Sequence, residues 1–219
     1  MQTRSLPTSS PTILCLGAHS DDIEIGCGGT LLSLLGQMPE AKVHWVVFSA
    51  EGPRADEARH GAELFAGSHE TAVELHTFRD GFFPDAFGAI KEEFRALQQR
   101  VDPDLVFTTW RRDLHQDHRL ISELTSQAFR NHLILEYEIA KYDGDLGSPN
   151  VYVRLGAEEA DKKVENLASA FGTQQEKYWF TAETFKALMR VRGVECRSSS
   201  GYAEAFYGHK LVFGASSAP

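Results

Sequence analysis

The sequence has little cysteine, no long apolar run and no excess of basic charge, and each absence removes a class of protein. Three cysteines occur in 219 residues: Cys15, Cys27 and Cys196. Their spacing fits neither a zinc ribbon nor a disulfide framework. Cys15 lies in an apolar run and reads as a small core residue. Cys27 stands in a glycine-rich stretch that can accept a small thiol without using it. No run is long and apolar enough for a transmembrane helix, and no apolar h-region follows the start. These absences lead us to expect a soluble protein with no membrane span, in a reducing compartment, the cytoplasm. The formal net charge is −9, so nucleic acid is not an expected partner; phosphate binding usually requires a basic patch. There is no internal repeat, and no linker that would mark a second domain.

What is present is an ordinary globular composition, 42% hydrophobic and 11% aromatic, enough for one domain with a core. Residues 1–11, MQTRSLPTSSP, read as a flexible polar arm. Residues 12–214 read as a single domain, with GASSAP as a frayed tail. TILCLGAH (Thr12–His19), KVHWVVFSA (Lys42–Ala50) and DLVFTTW (Asp104–Trp110) are continuous apolar runs, the pattern of strands buried on both faces. AVELHTF (Ala72–Phe78) and HLILEYEIA (His132–Ala140) are strand-like. Between them, helices are expected over GGTLLSLLGQM (28–38), Pro53–Gly67, Phe87–Val101 and 117–131. Ile90, Phe94 and Leu97 mark the buried side of the third. Beyond about Gly144 the pattern loosens, with plausible helices over 156–171 and 181–193. This alternation predicts an α/β, Rossmann-like fold, a mostly parallel sheet with helices on both faces. Ligands of such sheets bind at the carboxyl ends of the strands.

Two polar clusters fall on that rim. LGAHSDDIEIGCGGT (Leu16–Thr30) follows the first strand and carries His19, Asp21 and Asp22. DLHQDHRL (Asp113–Leu120) follows DLVFTTW and carries His115, Asp117 and His118. Imidazole and carboxylate suit zinc or non-haem iron, and three protein ligands with an open position make a catalytic site. Blander readings exist. Adjacent aspartates before a helix often serve only as N-cap and dipole partners. GCGG could belong to a dinucleotide-binding turn, but the G-x-G-x-x-G spacing is absent and acids crowd the place of a pyrophosphate.

AHSDDIEIGCGGT and HQDH resemble the two signatures of the LmbE-like, or PIG-L, family of zinc-dependent de-N-acetylases. That family reads A-H-P-D-D near its first strand and H-x-D-H about a hundred residues later. PRADEARHGAELFAG is similar to its R-x-x-E-A helix, FRDG to its Asp-Gly turn, and SPNVYVRL and YAEAF to its C-terminal half. The resemblance implies zinc (Fe2+ or another divalent ion being alternatives) on His19, Asp22 and His118. It implies Asp21 as general base, His115 as oxyanion stabiliser or proton donor with Asp117 orienting it as an imidazolium, and Arg54 and Asp80 as substrate-binding residues. Ser20 replaces the family's proline, which would stiffen the turn. Asp113 stands where some members have tyrosine. The implied activity is removal of an acetyl group from an N-acetylated amino sugar of GlcNAc type, free or in a glycoconjugate. Alternatives are a metal-dependent hydratase or lyase acting on an unsaturated dicarboxylic acid, and a non-catalytic nucleotide-binding module. Homo-oligomerisation is left open.

Overall fold

The computed structural model describes residues 10–208 and 210–211; most of the expected arm and the tail GASSAP lie outside the described residues. In chain order the main elements are β1 (Thr12–His19), α1 (Asp22–Leu35), β2 (Lys42–Ser49), α2 (Pro53–Ala66), β3 (Glu70–Leu75), α3 (Phe87–Arg100), β4 (Leu105–Thr109) and α4 (Gln116–Ala128). They continue with β5 (Leu133–Tyr137), β6 (Val151–Leu155), α5 (Ala157–Ala170), α6 (Ala182–Glu195) and β7 (Tyr202–Gly208). One seven-stranded sheet has the order β3-β2-β1-β4-β5-β7-β6. Strands β1 to β5 are mutually parallel. β7 runs antiparallel to both β5 and β6. No helix among the described residues is long and apolar enough to cross a membrane.

The apolar runs are continuous because the sheet is covered on both faces. In β1, Ile13 and Cys15 join a core with α1, α2, α5 and α6, while Leu14, Leu16 and Ala18 join a second core with α3 and α4. β2 divides likewise, with Val43, Trp45 and Val47 to one side and Val46 and Phe48 to the other. Ile90, Phe94 and Leu97 of α3 are buried as their spacing requires. From β1 the chain winds outward to β2 and β3, then crosses over to β4 and β5. β1 and β4 therefore feed helices that leave in opposite senses. The crevice at their carboxyl ends is the topological switch point where such sheets bind ligands.

The structure corrects three boundaries and adds two strands. β3 ends at Leu75, with only a single bridge between Ser49 and Thr77 beyond it, and β5 stops at Tyr137 rather than Ala140. The loosened C-terminal stretch contains β6 and β7, a pair whose alternation is masked by buried Glu204. Most consequential, α1 begins at Asp22 and includes every glycine of GCGG, six residues before the expected start. A Cβ on Gly26 would overlap the ring of Tyr137; one on Gly28 would lie 2.5 Å from Phe65, and one on Gly29 2.6 Å from Leu155. The glycines let α1 lie close on the sheet and on α2. They are interior helical residues and not an open phosphate cradle, so the nucleotide-binding reading falls.

Gly26→Ala should therefore destabilise the fold by ~1–3 kcal/mol through overpacking against the buried Tyr137. Gly88→Ala, in open space within α3, should stabilise by ~0.4–1 kcal/mol. Thermal denaturation reads both, at roughly 2–4 °C per kcal/mol for a chain of this size. Equal melting temperatures for the two variants would refute the packing argument.

Candidate metal centre

β1 ends at His19 and α1 starts at Asp22, so only Ser20 and Asp21 make the turn. The turn is closed by Asp22, whose Oδ2 accepts the His19 backbone N–H at 2.8 Å. This places the Asp22 carboxylate 3.5 Å from His19 Nδ1. The loop after β4 brings in the third group. His118, in the first turn of α4, sets Nε2 at 3.2 Å from His19 Nδ1 and 3.4 Å from Asp22 Oδ1. The three side chains are largely buried. A tetrahedral zinc ion with bonds of about 2.0–2.1 Å requires ligand atoms ~3.3 Å apart. The observed separations of 3.2 to 3.5 Å fit that requirement.

This geometry agrees with what the chain is similar to. The sequence model of the PIG-L family, described as GlcNAc-PI de-N-acetylase, matches residues 14–129, over half of the chain. The chain belongs to the PIG-L family. The family is one of de-N-acetylases, so the protein is an enzyme that hydrolyses an amide, and its His/Asp cluster fits a divalent ion. The N,N'-diacetylchitobiose deacetylase of Pyrococcus horikoshii, solved with the inhibitor MPG, superposes with a TM-score of 0.68 at 19% identity over 91% of this chain and 84% of that one. The zinc-inhibited form of teicoplanin deacetylase Orf2 gives 0.67 at 16%, over 90% and 97%. GalB, the 4-carboxy-2-hydroxymuconate hydratase of Pseudomonas putida KT2440, gives 0.69 at 17%, over 95% and 100%. At these identities the likenesses establish a shared fold.

Around this family scaffold each imidazole has a carboxylate behind it. His19 Nε2 faces Asp80 Oδ1 at 3.0 Å and Asp117 Oδ2 at 3.3 Å. His118 Nδ1 faces Asp113 Oδ2 at 2.9 Å. Such partners hold the proton on the far nitrogen and leave the near one as a metal ligand. Burial pulls both imidazoles down, but the acids outweigh it. Asp22 and Asp113 hold His118 up to about 9. Asp22, Asp117 and Asp80 raise His19 well above its ordinary value. Burial opposes the charge on Asp22, yet His118 and His19 hold its carboxyl well below the usual range. The centre is built to stabilise positive charge.

The remaining residues expected from sequence lie nearby, some with different partners. Asp117 does not orient the His115 ring: its oxygens accept the N–H groups of Gly81 at 2.6 Å and Phe83 at 3.1 Å, and it faces His19. His115 caps α4, its Nδ1 accepting the Asp117 N–H at 3.3 Å. Burial, then His118 and His19, lower its pKa, so its neutral form is favoured instead of the expected imidazolium. With Nδ1 accepting, Nε2 is the donor. Asp21 occupies the N-cap position of α1 but makes no capping hydrogen bond. Its Oδ1 accepts from Arg54 Nη2 at 2.8 Å, and Arg54 Nη1 donates to Glu57 at 2.8 Å. Arg54 thus touches Asp21 directly. Asp80 stands on the exposed rim, its side chain 72% accessible, with its carboxylate on His19. Two contributors escaped the sequence reading: Asp113, whose position two residues before His115 is a usable signal, and Lys141, which binds Asp113 and has no motif to mark it.

A metal on His118 Nε2 must displace the proton that the acids hold there. Divalent-ion affinity should therefore rise with pH between the ordinary 6.5 and about 9, with proton release. The stability of the metal-free protein should run the other way. The contribution of a raised histidine is fully present below its unfolded value and is lost as pH climbs through its folded one. Calorimetry in two buffers of different ionisation enthalpy counts the protons; binding without proton release at pH 7.5 would remove His118 from the ligand set.

Proposed function

We propose that the protein removes the acetyl group of an N-acetylated amino sugar of GlcNAc type, free or within a glycoconjugate, and that its metal is zinc. The observation that carries this reading is the set of three ligand atoms 3.2 to 3.5 Å apart at the switch point, with the Asp21 carboxylate in the same turn. His19, Asp22 and His118 would hold the ion, whose chemistry is to lower the pKa of a water and polarise the amide carbonyl.

The protein's own groups divide the remaining work. Asp21 is buried, makes no capping bond to α1 and is held by Arg54 through one oxygen. Among the described residues its second oxygen has no hydrogen-bond donor, which suits a base that takes a proton from the attacking water. The same carboxyl then holds the proton that the departing amine requires. His115 Nε2–H donates to the oxygen that gains charge as the carbonyl becomes tetrahedral. On the rim, Phe82 and Leu114 are exposed beside the loops that carry Asp80 and His115. They offer apolar surface to a sugar ring or its substituent. The three cysteines are buried and unpaired, which supports a cytoplasmic setting.

The test is incubation of the zinc-loaded protein with N-acetylglucosamine, N,N'-diacetylchitobiose and a GlcNAc glycoconjugate, reading acetate and primary amine together. Equimolar release of both from at least one compound is expected. Hydration of an unsaturated dicarboxylic acid, with no acetate from any sugar, would overturn the proposal in favour of a hydratase.

His19→Ala, Asp22→Ala and His118→Ala should each purify with little zinc by elemental analysis. His115→Ala should keep its zinc and lose ~10²–10³ in kcat, the usual effect of removing one oxyanion donor. Near-stoichiometric zinc in any of the first three removes that residue from the ligand set.

Asp21→Asn preserves size and the contact with Arg54 but cannot accept a proton. Full zinc occupancy with kcat lowered ~10²–10⁴-fold is the expected outcome. An unchanged kcat would end the assignment of Asp21 as base.

A further inference from the structure

Lys141 lies in the loop between β5 and β6, away from both signature motifs, and its side chain is only 9% exposed. Its ammonium group donates to Asp113 Oδ2 at 3.0 Å and to Asp145 Oδ2 at 2.6 Å, with Asp143 3.6 Å away. Asp113 is the buried carboxylate behind His118. Its Oδ2 is shared between His118 Nδ1 and Lys141 Nζ, and its Oδ1 accepts the His115 N–H at 2.8 Å. Asp145 in turn accepts the Leu114 N–H at 2.8 Å. One lysine thus ties the β5–β6 loop to the loop after β4 at the residue that aims the His118 ring.

The arrangement has a physical reason. Asp113 and Asp145 are both largely buried and meet at one point. Two unpaired carboxylates there would repel each other and seek water. A cation between them lets both stay ionised and holds Asp113 at a fixed distance from His118.

We propose that Lys141 is a positioning residue of the metal centre: through Asp113 it fixes the His118 ring with Nε2 toward His19 and Asp22, and so couples metal retention to the β5–β6 loop. The proposal rests on the assignment of His118 as a metal ligand. Groups behind a ligating histidine typically contribute 10–100-fold to metal affinity, and Lys141 acts through such a group.

The experiment measures the zinc dissociation constant by competition with a chromophoric chelator, and the visible spectrum of the Co2+-substituted protein, for the wild type and four variants. Lys141→Met should weaken zinc binding ~10–100-fold and alter the cobalt bands, because the His118 ring is no longer aimed. Lys141→Arg, which keeps a cation between the two acids, should restore most of the affinity. Asp145→Asn loosens the tie to Leu114 but leaves the Lys141–Asp113 pair, and should change affinity far less than Lys141→Met. Equal weakening by Asp145→Asn and Lys141→Met, without rescue by arginine, would assign Lys141 to loop anchoring alone and overturn the proposal. If Lys141→Met does not fold, the double variant Lys141→Met/Asp145→Asn removes the lysine together with one of its acids. It must then show the same weakening, and wild-type affinity in it overturns the proposal. The wild-type and His118→Ala proteins separate the two readings. Tight zinc in the wild type, lost in His118→Ala and unchanged in Lys141→Met, refutes the role of Lys141 and leaves the metal site standing. No tight zinc in the wild type refutes both.

Discussion

The carboxylate of Asp22 is the constraint on which the rest of the site depends. One oxygen accepts the His19 backbone N–H and closes the turn that joins β1 to α1. The same group faces His19 Nδ1 and His118 Nε2. A single buried side chain therefore shapes the backbone of the first loop and gathers the histidines of both loops. Glutamate would extend the carboxylate by a methylene and could not close the same turn while facing both rings.

Around this point the protein places its few cations where buried acids need them. The chain is acidic overall, with net charge −9, yet its buried carboxylates are largely paired. Arg54 holds Asp21, Lys141 holds Asp113 and Asp145, and Arg192 grips both oxygens of Glu138 at 2.6 and 2.7 Å. Lys163 and Glu204 form a buried pair at 2.5 Å. That pair also clamps α1: Glu204 accepts the N–H groups of Gly29 and Thr30, and Lys163 donates to the Ile25 carbonyl. A helix with three glycines has weak intrinsic propensity. Here it is held by side chains from α5 and β7, and the metal-binding turn at its start gains a fixed platform. Buried pairs of this kind are costly to break from one side, so they act as constraints on position more than as sources of stability.

Glu24 stands apart from this pairing. It is fully buried, and neither oxygen has a hydrogen-bond partner among the described residues. Burial, with the nearby Asp21 and Asp22, pushes its carboxyl well above the usual range against the opposing charge of Arg54, which favours its neutral form. Gly61 on α2 makes room for it, since a Cβ there would collide with Oε1.

By itself the sequence determined the alternation of strands and helices, the two apolar strands that end at the crevice, and the residues that meet there. Those features are local. A strand buried on both faces reads as an unbroken apolar run, and a motif that must supply a ligand at a strand end carries its histidine in plain view. The tertiary structure decided what local pattern cannot encode. It decided that GCGG is a helix face pressed on Tyr137 and Phe65, that Asp117 serves His19 instead of His115, and that Arg54 holds Asp21. It also brought Lys141 to Asp113. Each of these pairings joins residues that only strand order and crossover bring together; His19 and His118 are 99 positions apart. Which carboxylate stands behind which imidazole is settled by distances of a few ångströms across that junction, and hydrophobic periodicity carries no record of them.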